Sequence, residues 1–326
     1  MSLLGILNGK GKETINTKEE QYGRAWRLIV GQKQREKGFS IFRELSNNGF
    51  AEATIALSMF TQTMEERKNL ISKIVPQKHP EALWQMCNLI PHTFYPDLEN
   101  ESNARRTKMC LDAAEMGSVD AMNEMGNICH RLGQYAESMY WYAMAQFNDH
   151  PDGKMSMQFI ARKWEETGMP KEYSGGTPRF NKARFRAALT YLELYNELEP
   201  STSLHILIQD TLEGEPLSGY LTGDLFEQQE NYEMAYKMYN ALAFENDGHG
   251  LKCYADMLYT GRGVQQDLNS AVRTYKLAAE NGDRAAMFIT GEFTKQTNQN
   301  LAAYWYGVSH TRGYPYSLER LITISE

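Results

Sequence analysis

LKCYADMLYTGRGVQQDLNSAVRTYKLAAENGDRAAMFITG, residues 251–291, reads as helix, glycine turn, helix, short turn, helix. Leu251, Tyr254, Ala255 and Leu258 recur at helical spacing and give the first segment one apolar stripe. Gly261 and Gly263 stop it, because glycine adopts the left-handed conformation that ends helices. Asp267 stands where a side chain can accept the orphan N–H groups of the next helix. That helix gathers Ala271, Val272, Tyr275, Ala278 and Ala279 on one face, and Asn281-Gly282 closes it before Ala285-Ala286 starts the cycle again.

Working outward, Ala235 to Ala271 and Tyr239 to Tyr275 are both steps of 36 residues. Ala271 to Ala302 and Tyr275 to Tyr306 are both 31, as a trimmed loop requires. First-helix landmarks at Ser218, Leu251 and Ala286 step by 33 and 35, and Ala53 to Ala121 is 68, about two repeats. A fixed period of this size is the signature of a stacked helical array. Upstream, Ala113-Ala114-Glu115-x-Gly117 repeats Ala278-Ala279-Glu280-x-Gly282.

The pattern Gly261-x-Gly263-Val264-x-x-Asp267, then Ala271, Tyr275 and Ala278-Ala279-Glu280-x-Gly282, resembles a Sel1-like repeat. The resemblance implies an all-α, right-handed α-solenoid of stacked hairpins, related to tetratricopeptide arrays, that binds other proteins and catalyses nothing. Some secreted relatives staple each repeat with a disulfide. Cys87, Cys110, Cys129 and Cys253 form no such pair within a hairpin, so reduced, buried thiols are expected.

The expected organisation is a loose arm over 1–18, then one solenoid over 19–326 of about seven hairpins, most regular over 217–313. Leu3, Leu4, Ile6 and Leu7 offer an alternative in which the arm docks on the first hairpin. In the middle, Met157, Ile160, Ala161 and Trp164 are expected to face inward from one helix. Two irregular segments interrupt the array, Pro91–Ser102, whose Phe94 and Tyr95 could pack back, and Gly168–Pro178. A final helix over 314–324 is expected to cap the end.

The chain carries 42% hydrophobic and 11% aromatic residues, enough for a buried core. A net charge of −7 disfavours nucleic acid, whose phosphates require a basic surface. No run approaches the roughly 20 apolar residues of a membrane span, and no signal peptide is evident, so a cytoplasmic, bacterial protein is expected. Gly261-x-Gly263 lacks the lysine and preceding strand of a phosphate loop. The histidines read as scattered, none sharing helical spacing with a second ligand, so no metal, cofactor or catalytic residue is assigned.

The first helices of such hairpins line the inner curve. Polar or aromatic residues off the apolar stripe there are Asn123, Asn127 and His130, then Tyr220 and Asp224, then Lys252, Asp256 and Tyr259. Together they form the candidate surface for a protein partner. The leading reading is an interaction scaffold or adaptor. One alternative is a neutralising immunity partner of a secreted toxin, which the acidic charge would suit. Another, of a different class, is an enzyme or small-ligand binder that uses the irregular central loops.

Overall fold

The computed structural model describes residues 17–31, 34–90, 101–168, 173, 175–177 and 179–325. Expectations that fall on Leu3, Leu4, Ile6, Leu7, Phe94, Tyr95 or the Trp164 side chain lie outside the described residues, as does much of the 168–178 segment.

Among the described residues, eighteen α-helices run in chain order. They are α1 (Lys18–Val30), α2 (Arg35–Asn47), α3 (Ala51–Met59), α4 (Met64–Ser72), α5 (Pro80–Leu89) and α6 (Glu101–Glu115). Next come α7 (Val119–Arg131), α8 (Tyr135–Phe147), α9 (Gly153–Thr167), α10 (Lys182–Tyr195), α11 (Leu204–Leu212) and α12 (Pro216–Gln228). The last six are α13 (Tyr232–Phe244), α14 (Gly248–Thr260), α15 (Leu268–Glu280), α16 (Arg284–Thr294), α17 (Gln299–Thr311) and α18 (Ser317–Thr323). Neighbours in sequence pack as neighbours in space, the contact pattern of a solenoid.

The glycine turn follows from its chemistry. Gly261 takes φ +73° and donates its N–H to the Met257 carbonyl, ending α14. Gly263 also takes a positive φ, and a Cβ there would meet the Tyr232 carbonyl oxygen at 2.0 Å. The second glycine is thus fixed by close approach of the preceding hairpin as well as by backbone conformation. Asp267 caps α15, accepting from the N–H groups of Asn269 and Ser270, each at 3.0 Å.

A second recurring device locks four of the hairpins. Tyr142, Tyr239 and Tyr306 lie where a Cβ on Gly126, Gly223 and Gly291 would come within 2.3–2.5 Å of the ring. Each hydroxyl donates to the residue after that glycine: Asn127 at 2.8 Å, Asp224 at 3.2 Å and Glu292 at 2.7 Å. In α14 the pair is Ala255-Asp256, and Tyr275 donates to Asp256 at 2.5 Å. A small residue admits the ring, and the next residue satisfies its hydroxyl.

Two departures from the regular stack matter. First, α9 lies against α7 and α8, while α10 packs on α8 and α12, so the central segment is threaded differently from its neighbours. Met157, Ile160 and Ala161 are buried there, as their spacing requires. Second, the array does not remain open. Helix α1 packs on α17, so the first and last hairpins close a ring, and α18 covers the seam beside them. Tyr22 and Trp26 are buried in this joint with Phe42 and Tyr304 against the Tyr22 ring. Arg27 donates to Asn300 at 3.1 Å, and Asn298 donates to Glu20. The Glu52 carboxylate lies 3.0 Å from His79 and 3.4 Å from Arg312, tying residues 260 positions apart. The C-terminal end is therefore covered by α1 as well as by the final helix.

Candidate functional site

The eight residues singled out on first helices divide into three groups. Asn123, Asn127 and His130 share one face of α7, and the chain's own α9 lies over it. Ser156 donates to Asn123 at 3.1 Å, and the His130 ring sits 4.9 Å from Phe159. Asn127 is engaged by Tyr142 of its own hairpin. Tyr259 is exposed at the far end of α14, its ring 6.4 Å from Tyr275. Tyr220 is buried, donating to Asp247 at 2.7 Å with its ring edge-on to His249.

The third group converges. Asp224, Lys252 and Asp256 line one cleft of about 420 Å³, together with Gln146, Phe147, Asp149, Tyr191, Glu227, Tyr239, His249 and Cys253. Consecutive first helices α12 and α14 supply one wall. The end of α8 and Tyr191 of α10 supply the other, which exists because of the altered threading in the middle of the chain.

Charge in the cleft is unbalanced. Lys252 is 2.9 Å from Asp256, and Arg262 is 2.7 Å from Glu227. Asp149 and Asp224 have no salt-bridge partner among the described residues. Burial holds the Asp224 carboxyl above its ordinary range, against the hydrogen bond from Tyr239. Burial also raises the phenols of Tyr239 and Tyr275, so both remain neutral donors. Burial works against the Lys252 charge, but Cys253 and Asp256 outweigh it and keep the ammonium protonated.

At the floor of the cleft, Cys253 Sγ lies 3.4 Å from His249 Nε2. On the other side of the imidazole, Nδ1 lies 3.6 Å from Asp283 Oδ2. Asp283 is fixed as the cap of α16, accepting from the Ala286 N–H. Burial disfavours the imidazolium, but Cys253 and Asp283 hold its pKa well above the ordinary histidine value. Two expectations are corrected here. Three of the four cysteines are buried, but Cys253 is partly exposed and lines the cleft. The histidines are not all isolated, since His249 precedes Cys253 by four residues on one helix, a spacing legible in the sequence.

A second cavity, of about 480 Å³, is lined by Glu115, Tyr140, Trp141, Arg184, Glu245 and Asp247 among others. Its cation is spent: Arg184 binds Glu115 through two hydrogen bonds of 2.6 and 3.0 Å and lies over the Tyr140 ring. The acidic cleft is the more available site.

No protein-family model matches the sequence, and no curated relative matches it. Two of the solved structures to which the chain is similar are Sel1 or SLR-fold proteins. One is c5321, a protective antigen of uropathogenic Escherichia coli strains displaying an SLR fold, at 19% identity and a TM-score of 0.34. The match covers 86% of this chain and 57% of that one, so the chain spans little more than half of its length. The other is a Sel1 repeat protein from Oxalobacter formigenes, at 15% identity and a TM-score of 0.40, covering 97% and 88%. Solved Sel1 repeat proteins are thus among the structures this chain is similar to. Both TM-scores are low, and the α-solenoid assignment rests on the helix packing and the tyrosine-on-glycine device of the chain itself. No helix among the described residues is long and apolar enough to cross a membrane.

Proposed function

We propose that the chain is a non-enzymatic scaffold that holds a protein partner, and that the cleft between α12, α14 and the end of α8 receives a basic side chain of that partner. The observation that carries this reading is the convergence of Asp149, Asp224, Glu227 and Asp256 around one opening, where, among the described residues, Lys252 and Arg262 each pair with one carboxylate and the His249 imidazole is the remaining basic group. Such a field attracts cations and speeds the encounter with a basic surface. The four free cysteines fit a reducing compartment, which supports a cytoplasmic setting.

The charge contribution separates cleanly from the structural one. Asn127 already serves Tyr142 as Asp224 serves Tyr239, so Asp224→Asn and Asp256→Asn retain an acceptor for the tyrosine while removing a charge. Affinity purification from the native cell identifies the stoichiometric partner, whose identity distinguishes an adaptor from a neutralising protein. The double variant should then bind about tenfold more weakly, a loss of roughly 1.4 kcal/mol, with a shallower salt dependence. Equal affinity and an unchanged salt slope would move the interface away from this cleft.

A further inference from the structure

We propose that Cys253 is a thiol–disulfide exchange site that takes small disulfides with cationic arms, using His249 as the proton acceptor. This goes beyond the scaffold reading and does not depend on it.

Three features coincide. The thiol is partly exposed and opens on a cleft large enough for a small molecule, whereas Cys87, Cys110 and Cys129 are buried. The imidazole nitrogen stands within reach of Sγ, and Asp283 stands behind the ring, an arrangement in which a base activates a nucleophile and a third group orients the base. Finally, Tyr220 and Phe147 pack against the imidazole, at 4.7 and 6.4 Å between ring centres, restricting its orientation.

The exchange balances without an outside reductant or a metal. The proton shared between Sγ and His249 Nε2 rests on Nε2 as Sγ attacks one sulfur of a disulfide RS–SR. The Sγ–S bond forms while the S–S bond of the reagent breaks. The departing RS⁻ takes the proton from the imidazolium and leaves as RSH. The protein is left carrying a mixed disulfide, and a second thiol reverses the process.

Charge selects among reagents. The groups facing Cys253 are Asp149 from the turn after α8, Asp224 and Glu227 from α12, and His249, Lys252 and Asp256 from α14, with the Tyr191 phenol of α10 and the Tyr239 phenol of α13. Carboxylates outnumber cations, so a diamine disulfide is drawn in and a dicarboxylate disulfide is repelled.

The test uses the full-length protein, with cystamine as the cationic probe and 5,5′-dithiobis(2-nitrobenzoate) as the anionic one. Intact-mass and peptide mapping read the site, and each rate is divided by that of the same probe with the urea-unfolded chain. The expected result is one mixed disulfide, at Cys253, formed faster than in the unfolded chain with cystamine, and a lower normalised rate with the anionic probe. His249→Gln should slow the cystamine reaction by about a hundredfold, the lower edge of a general acid–base contribution. Asp283→Asn keeps a good helix cap, so it tests the positioning residue in a folded protein. It should slow the reaction and move its pH–rate profile. Reaction in the wild-type protein no faster than in the unfolded chain, or first at another cysteine, overturns the proposal without recourse to any variant. A rate and pH profile unchanged in folded Asp283→Asn and His249→Gln proteins overturn it as well.

Discussion

Replacing Gly23 by alanine tests the ring by the sign of its effect. Gly23 lies inside α1, and in an unobstructed helix alanine is favoured over glycine by about 1 kcal/mol. In the closed ring, however, its Cβ would stand 1.8 Å from the Asn300 carbonyl oxygen and 2.7 Å from the Tyr304 nitrogen, both backbone atoms of α17. No rotamer change relieves such a clash, so α1 must move outward by about 1.6 Å to restore ordinary contact near 3.4 Å. Tyr22, Ala25, Trp26 and Ile29, all buried at this joint, then lose packing together. Overpacking typically costs about 1–3 kcal/mol, and a backbone obstacle belongs at the upper end. After subtracting the propensity gain, a net destabilisation of about 1–2 kcal/mol remains. Urea titration followed by circular dichroism gives the sign, and small-angle scattering tests whether the seam has opened. A midpoint equal to or above the wild type would show that α1 is not seated on α17, and the ring would be refuted.

Three further outcomes follow from local geometry. Burial opposes the Glu52 charge, but His79 and Arg312 pull its pKa down to about 2. A carboxylate lowered this way contributes stability that is fully present above the unfolded value near pH 4.5 and is lost as pH falls toward 2. Glu52→Gln should therefore cost on the order of 3 kcal/mol at neutral pH and converge with the wild type near pH 2, as read from urea midpoints across pH. Tyr239→Phe removes a hydroxyl that serves Asp224 and Glu227 and should cost about 1–2 kcal/mol in the same titration. Asp224→Asn, which leaves an acceptor in place, should cost less than half as much. Of the two turn glycines, Gly263→Ala should be the more damaging by at least about 1 kcal/mol in thermal melts. Both take a positive φ, but Gly261 meets its nearest neighbour at 3.1 Å and Gly263 meets a carbonyl at 2.0 Å.

The fold was legible because the 251–291 stretch carries its own punctuation, and the matched steps of Ala235, Ala271 and Ala302 carry it through the last third. The ring was not legible, since periodicity reports a residue's neighbours along the stack and is silent on whether the first meets the last. The complementary glycines that allow it, Gly23 on α1 and Gly307 against Trp26, acquire meaning only once the two helices are seen together. In the site, first-helix polarity picks out Asp224, Lys252 and Asp256, and the structure places these three on one cleft. The same rule treated Asn127, Asp224 and Asp256 as free when each accepts a tyrosine hydroxyl. The available signal was a small residue followed by Asp, Asn or Glu, with a tyrosine 14–19 positions later. The His249–Cys253 spacing, four residues on one helix, is equally readable in the sequence.

Closure also changes what it means for this molecule to have ends. In a linear array of n units there are n − 1 interfaces, and a terminal unit frays by breaking one of them. In a ring there are n, and any unit leaves only by breaking two. Fraying is then suppressed everywhere at once, and amide exchange near Lys18 and Thr311 should be as slow as in mid-chain helices rather than the fastest in the array. The peptide chain itself becomes incidental to the circle: new termini cut into the loop after α13, with the old ones joined, would leave the same set of interfaces intact.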